Sequence, residues 1–359
     1  MFYLEKNAKR FLGKRENITN DIVKRVCVIT AKNIHLKNHP VENPVVAFNP
    51  GLYYDEKEDA IKLYARIVLG YFTYTSAIVE MKIDANDLFT TSSVFSLNVI
   101  GDIQVIPNTL YDIWGTEDPR IVEIDSEKYM VYCGRTVWYF DKEKKDERAL
   151  PIIAKEDKNS GEWKKLAVFR MPGTWRKKVI SDKDAFVVKN EKTGKWYLFH
   201  RAHVKRNNFY CAYSHLGEKE VSDLKAAESE EERNLREIVI KRSIVPILNE
   251  KFEDKIGWGT PPLRIEDKNI FIMHAVDKKS KAYKVFSIAM DQDFKLESVT
   301  RTYIMEPREI YEIYGDRPYV VFPTGACCID NKIVLAYGCS DSAIGIGLID
   351  VDDLLFLLE

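Results

Sequence analysis

Glu117, Asp118 and Arg120 stand together in "WGTEDPRIVEID", residues 114–125, where an acid pair, a proline and an arginine precede an alternating apolar run that reads as a β-strand. Such a group can supply a proton donor, or it can be a salt-bridged turn that merely starts the strand. Neighbours along a strand point to opposite faces, so Glu117 and Asp118 are not expected to meet the same substrate: one is the acid and the other its scaffold. Pro119 removes a ladder donor and fixes its own φ, which would hold a carboxylate at the strand entrance. Arg120 is placed to pair with Glu117 or to pin a neighbouring sheet.

Further polar residues sit near the ends of other apolar runs. They are Asn49 in "AFNPG", Arg66 in "LYARI", Lys183 and Asp184 in "SDKDAF", and His200 and Arg201 in "LFHRAH". Lys255 in "DKIGWGTPP", His274 in "IFIMHAV", Tyr283, and Asp341 in "YGCSDS" complete the set. Taken singly, an Arg or His on a strand reads as a capped or salt-bridged structural residue. As a set, Lys183, Arg201, Lys255 and His274 describe a donor-rich pocket for an oxyanion such as phosphate, with Arg a planar fork and Lys a point charge. Asp118 and Asp341 suit sugar hydroxyls or acid catalysis. One acid beside one anion pocket is what glycosyl transfer to phosphate requires.

These residues need elements that bring distant stretches together. From about residue 45 the chain is a succession of short runs rich in Val, Ile, Tyr and Phe, separated by polar turns. Five hairpins of one form recur: "GLYYDEKEDAIKLYARI", "RIVEIDSEKYMVYCG", "AFVVKNEKTGKWYLFHR", "LRIEDKNIFIMHAV" and "ACCIDNKIVLAYG". Roughly 60 residues per unit is enough for four strands of about 5–6 residues with generous loops, so an all-β, five-bladed β-propeller is predicted. A β-sandwich pair or a β-helix fits less well, because the insertions between hairpins are long and uneven. Residues 1–40 read as an N-terminal extension and 41–359 as the catalytic propeller. Residues 218–242, "EKEVSDLKAAESEEERNLREIVIKR", hold helix formers with Glu before Arg at helical spacing and predict an inserted surface helix.

Composition narrows the function classes. The 359 residues carry 54 Lys+Arg against 55 Asp+Glu, a net charge of -1, so the molecule lacks the basic field of a nucleic-acid or anionic-membrane binder. No run of about 18 apolar residues suggests a membrane span. Basic residues interrupt every apolar cluster near the N-terminus, so no secretory leader is predicted and a cytoplasmic location is expected. Six scattered cysteines read as free thiols, and no His, Cys or acid spacing implies a metal or other cofactor. The basic N-terminal arm and the inserted helix are surfaces that could serve homo-oligomer assembly.

Seven ordered stretches over residues 40–355 resemble glycoside hydrolase family 130, the mannoside phosphorylases and related β-mannosidases: "ENPV…AFNPG", "LYARI", "GTEDPRI", "KDAF…WYLFHR", "KIGWGTPPL…FIMHAV", "RTYIMEPREIYEIYGDRPYVVFPTGA" and "YGCSDSAIGIG". The resemblance implies a five-bladed β-propeller. It also implies cleavage of a β-mannoside by inorganic phosphate with inversion, giving α-mannose 1-phosphate and a shortened acceptor sugar. By similarity Asp118 is the general acid, acting through the 3-hydroxyl of the bound mannose. Phosphate would then lie against Lys183, Arg201, Lys255 and His274 with Tyr283 nearby, and mannose against Asn49, Arg66 and Asp341. Phosphate is itself the nucleophile, so the second carboxylate of an inverting hydrolase becomes unnecessary. Lys183 and Asp184 stand where several members have Arg and Asn, keeping the charge but losing the planar fork. Two competing expectations are a β-mannosidase on the same fold, which would lose the phosphate residues, and a non-catalytic glycan-binding propeller, which would lose the acid.

Overall fold

The computed structural model describes residues 1–37, 39–90, 93–206, 208–229 and 235–359. Five five-stranded sheets are arranged in order around an axis, making five blades. The innermost strand of each comes from Val46–Asp55, Thr116–Ile124, Val179–Lys189, Glu253–Trp258 or Val321–Ile329. Each predicted hairpin is the inner part of one blade. In the fourth blade, residues 259–262 interrupt the inner edge, and Leu263–Ile265 resumes pairing with Lys268–Asp277. One apolar cluster fills each junction between neighbouring blades, including that between the fifth and the first. Strands here are apolar on both faces because each face packs on another blade, which is why the runs read as nearly continuous rather than alternating.

The N-terminal forty residues are not an extension outside the propeller. Lys24–Thr30 pairs antiparallel with Ala343–Asp350 and joins the two ends of the chain within the fifth blade. Phe2–Leu4 adds a parallel edge strand to the third blade, and Ile34–Leu36 one to the first. The expected boundary at residue 40 therefore falls inside the woven sheets: "KRVCVIT" is a buried β-branched run despite its basic neighbours. Such closure covers the free edge of Ala343–Asp350 and ties the last blade to the start of the chain.

The insert also differs from expectation. A helix spans Glu218–Ala227, with Leu224 and Ala227 buried against the junction of the second and third blades. Arg236–Val239 is instead a parallel edge strand of the second blade, paired with Ala167–Arg170. The alternating "REIVI" can bury Ile238 and Ile240 by pairing, whereas a helix would scatter them. Residues 230–234 of the predicted helix lie outside the described residues. All six cysteines are free, four of them buried.

Candidate active site

Three inner strands carry the same local device. Opposite Ala65, the first blade places two residues, Asn49 and Pro50. Opposite Tyr132, the second places Asp118 and Pro119, and opposite His200 the third places Asp184 and Ala185. The first residue of each bulge is left-handed, with φ of 50° at Asn49, 51° at Asp118 and 52° at Asp184. Asn and Asp tolerate this region best among residues with a Cβ, which accounts for their use here. A bulge cancels strict alternation. Glu117 and Asp118 consequently line one cavity together, contrary to the alternation argument, and so do Lys183 and Asp184.

That cavity lies at one end of the axis and has a volume of about 510 Å³, inside the range of roughly 300–1,000 Å³ usual for small-molecule sites. Of the residues singled out from sequence, it is lined by Asn49, Arg66, Asp118, Lys183, Arg201, Lys255, Tyr283 and Asp341. His200 is not among them, being buried with its Nδ1 2.9 Å from Asp182 Oδ2, and neither is His274. Its Nε2 lies 3.0 Å from Asp184 Oδ2, its ring stacks near Tyr283, and it is fully buried behind the wall. Burial, only partly opposed by Asp184, lowers its pKa to about 4, so at neutral pH it is an uncharged donor to Asp184 rather than a cation facing an anion. Gly257 makes room for this pair: a Cβ there would collide with both Asp184 Oδ2 and the His274 ring.

On the acid side every charge is paired. Asp118 Oδ1 accepts from Asn49 Nδ2 at 2.8 Å and Arg66 Nη1 at 3.4 Å. Glu117 is 1% exposed and accepts from Arg66 Nη2, Arg135 Nε and Lys183 Nζ, each at 2.9 Å. Burial alone would raise the Glu117 pKa, but Arg135, Arg66 and Lys183 outweigh it and hold the carboxyl well below the usual range. Arg120 does not pair with Glu117. It donates to the main-chain oxygens of Asp118 at 2.8 Å, Gly259 at 3.0 Å and Trp258 at 3.4 Å, so it pins the acid's backbone to the fourth blade.

The opposite side is different. Arg201 is bonded to Asp184, but neither Lys255 nor Arg317 has a carboxylate within ion-pairing distance among the described residues. Lys255 Nζ lies 5.3 Å from the Phe209 ring centre and 5.5 Å from that of Tyr283, while the Arg317 guanidinium lies 4.8 Å from the same tyrosine ring. Burial, with repulsion from Arg201 and Arg317, lowers the Lys255 pKa to about 7. An anion bound there would reverse that shift. Between the walls, Asp341 takes φ of 50°, and burial, helped by nearby Asp118 and opposed by Arg66, raises its pKa to about 6.

Sequence reasoning missed Arg135 and Arg317. Arg66 and Arg201 each follow the residue opposite the bulge by one position; in the second blade that place is Cys133, and the arginine comes two residues later on the same face. The face period of two was the signal that could have found Arg135. Arg317 lies in "YGDRPY", a loop with no strand pattern to orient it.

A family model described as "beta-1,4-mannooligosaccharide phosphorylase" matches residues 13–359. Two relatives from Thermoanaerobacter sp. (strain X514) are each 28% identical to this chain. One, a 1,2-beta-oligomannan phosphorylase, aligns over 253 residues, 69% of this chain and 72% of its own. The other, a beta-1,2-mannobiose phosphorylase, aligns over 249 residues, 68% of this chain and 70% of its own. Among solved structures, beta-1,2-mannobiose phosphorylase from Listeria innocua superposes with a TM-score of 0.67 at 16% identity, covering 94% of this chain and 97% of that one. A mannose phosphorylase from Leishmania mexicana, solved with a phosphate ion, gives 0.56 at 14% identity, covering 92% and 89%. These two likenesses show a shared fold.

Proposed function

The chain belongs to glycoside hydrolase family 130, and from that premise we propose that it is a β-mannoside phosphorylase, transferring mannose with inversion from an oligosaccharide to inorganic phosphate. The observation that carries this reading is the unpaired cationic wall of Lys255 and Arg317 in the same cavity as Asp118. Half-buried Lys255 without a carboxylate partner, with exposed Arg317 beside it, favours a bound anion, since desolvating an unpaired charge is otherwise costly.

In this reaction phosphate attacks the anomeric carbon from the cationic side as the glycosidic bond to the acceptor breaks on the acid side. Asp118 supplies the proton that the departing oxygen takes up, relayed by the mannose 3-hydroxyl as the family resemblance implies. Both hydrogen bonds to its carboxyl engage Oδ1, which leaves Oδ2 to carry that proton. The products are α-mannose 1-phosphate and the shortened acceptor. Arg201, Lys183 and Tyr283 add donors around the phosphate, with His274 acting from behind by orienting Asp184 and hence Arg201. Asn49, Arg66 and Asp341 border the mannose. No cofactor is called for, because phosphate is both co-substrate and nucleophile.

Hydrolysis by inversion would need a carboxylate free to activate water. Glu117, beside Asp118, is held ionised by three cations that keep its pKa well below the usual range, which makes it a poor base toward water. The test is phosphate release from α-mannose 1-phosphate with a panel of acceptors: glucose, mannose, N-acetylglucosamine and mannobioses. Release with at least one acceptor is expected. Silence with all of them, together with phosphate-independent cleavage of β-mannosides, would refute the assignment.

A further inference from the structure

Behind the cationic wall stand two buried glutamates held in the same way, Glu253 just before Lys255 and Glu312 just before Arg317. Glu253 accepts from Arg15 Nη1 at 2.5 Å and Nη2 at 2.6 Å, from Tyr303 OH at 2.7 Å and from the main-chain N–H of Glu250 at 2.7 Å. Glu312 accepts from Arg25 Nε at 3.1 Å and Nη2 at 3.4 Å, from Tyr337 OH at 2.8 Å and from the main-chain N–H groups of Arg308 at 2.9 Å and Glu309 at 3.1 Å. Each carboxylate thus receives an arginine fork, a tyrosine hydroxyl and main-chain donors. Both arginines come from the N-terminal segment, and neither they nor the two glutamates line the cavity.

Each clamp fixes the backbone beside one cation. In the fourth blade the pairing passes from Glu253–Asp277 to Lys255–Val276, so Asp254 is bulged. Residues two apart on a regular strand share a face; the bulge instead sends Glu253 to Arg15 and Lys255 into the cavity. Arg15 is itself held, its guanidinium 4.0 Å from the Phe286 ring centre. The second clamp governs a stretch that belongs to no blade. N–H groups of Glu16, Asn20 and Ile22 donate to the main-chain oxygens of Arg301, Tyr303 and Ile304, which lays the N-terminal segment along it. All five N–H groups of Arg25 find acceptors, the others being Asp21 Oδ1 and the main-chain oxygens of Val23 and Glu306. The main-chain oxygen of Glu312 in turn accepts from Ser340 Oγ at 2.6 Å and Val320 N at 3.0 Å, while Arg317 N donates to the Ser340 oxygen at 3.0 Å. Arg317 is exposed, so the direction of its side chain depends on this backbone.

We propose that Arg15 and Arg25 are positioning residues for the phosphate site, each setting one cation of the wall through its glutamate. This rests on the phosphorylase reading above. It is tested by steady-state phosphorolysis of a β-mannoside with Arg15→Lys and Arg25→Lys, which keep the charge but lose the fork, each assayed well below its melting temperature. The KM for phosphate should rise about threefold to tenfold in each, the equivalent of one hydrogen bond, while the KM for the mannoside stays at the wild-type value. Clamps that only hold the fold together would lower the melting temperature and leave the KM for phosphate alone. That result, or an equal rise in both KM values, would overturn the proposal. Tyr303→Phe and Tyr337→Phe each take one donor from a glutamate and keep the ring, so they carry the test if the arginine variants do not fold. A rise of about twofold in the KM for phosphate is expected, and unchanged values in both would overturn the proposal. Calorimetric titration with inorganic phosphate reads the wall without turnover, and binding weakened by the same ratios is expected. Phosphate bound by the wild type and lost from the variants, with no sugar phosphate formed by any of them, would uphold the clamps and sink the phosphorylase reading instead. A wild-type chain that binds no phosphate would sink both.

Discussion

The two walls of the axial cavity obey opposite rules. Around Glu117 three cations converge on one buried carboxylate, and Asp118 is held by an amide and a guanidinium. Around Lys255 and Arg317 there are aromatic faces and no ion-pair partner among the described residues. The first wall is complete without a ligand. The second leaves half-buried Lys255 without a counter-charge, an arrangement that the phosphate of the proposed reaction would complete.

The contrast is open to attack from both sides, and the largest effect is expected at the acid. Asp118→Asn is nearly isosteric and keeps an acceptor for Asn49, so the melting temperature should stay near that of the wild type. Turnover should fall about 10²- to 10⁴-fold, the usual contribution of a positioned acid; a fully active variant would remove Asp118 from the mechanism. Glu117→Gln leaves three cations without their common carboxylate. Thermal unfolding should then reveal a loss on the order of 3–5 kcal/mol, as for other broken buried pairs. A neutral effect would mean that the acid wall is not the self-sufficient network described. Lys255→Ala should raise the KM for phosphate about 10- to 100-fold, the equivalent of a lost charge-assisted contact of about 1.5–3 kcal/mol, without destabilising the chain.

The smallest effect is the pH dependence, and its sign differs between the walls. Glu117, with its pKa depressed, contributes stability that is present above about 4.5 and lost as pH falls below it. Lys255 is also depressed, to about 7 from 10.5, but it is a base: the unfolded chain holds its proton more tightly, so this group favours folding more as pH rises from 7 to 10.5. For binding the order is reversed, since the charge that attracts phosphate fades above about 7. The KM for phosphate should therefore climb several-fold between pH 6 and 8.5, and Lys255→Arg should flatten the part of the climb that is not due to phosphate's own titration. Equal slopes in both proteins would exclude Lys255 as the titrating group.

Much of this was legible in the sequence, because hairpins with short polar turns announce themselves and a radial repeat constrains where their ends point. Of the nine residues that the resemblance assigns to acid, phosphate or mannose, eight line one cavity. What failed was the assumption of unbroken alternation. A left-handed Asp before a proline made a bulge, so Glu117 and Asp118 turned to the same side, and only the register shows it. His274 was misjudged because its face could be read but not the depth at which Asp184 and Gly257 would trap it. Lys24–Thr30 and Arg236–Val239 looked like extension and helix because their pairing partners lie hundreds or scores of residues away, a distance at which local pattern carries no signal.

The central claim is that the unpaired cations await phosphate as the nucleophile. It is tested most directly by incubating the β-mannoside with the protein in the presence and absence of inorganic phosphate and identifying the sugar product, the phosphate ester by phosphorus NMR and free mannose by proton NMR. α-Mannose 1-phosphate formed only when phosphate is supplied is the predicted result. Free mannose released at the same rate without phosphate would contradict it.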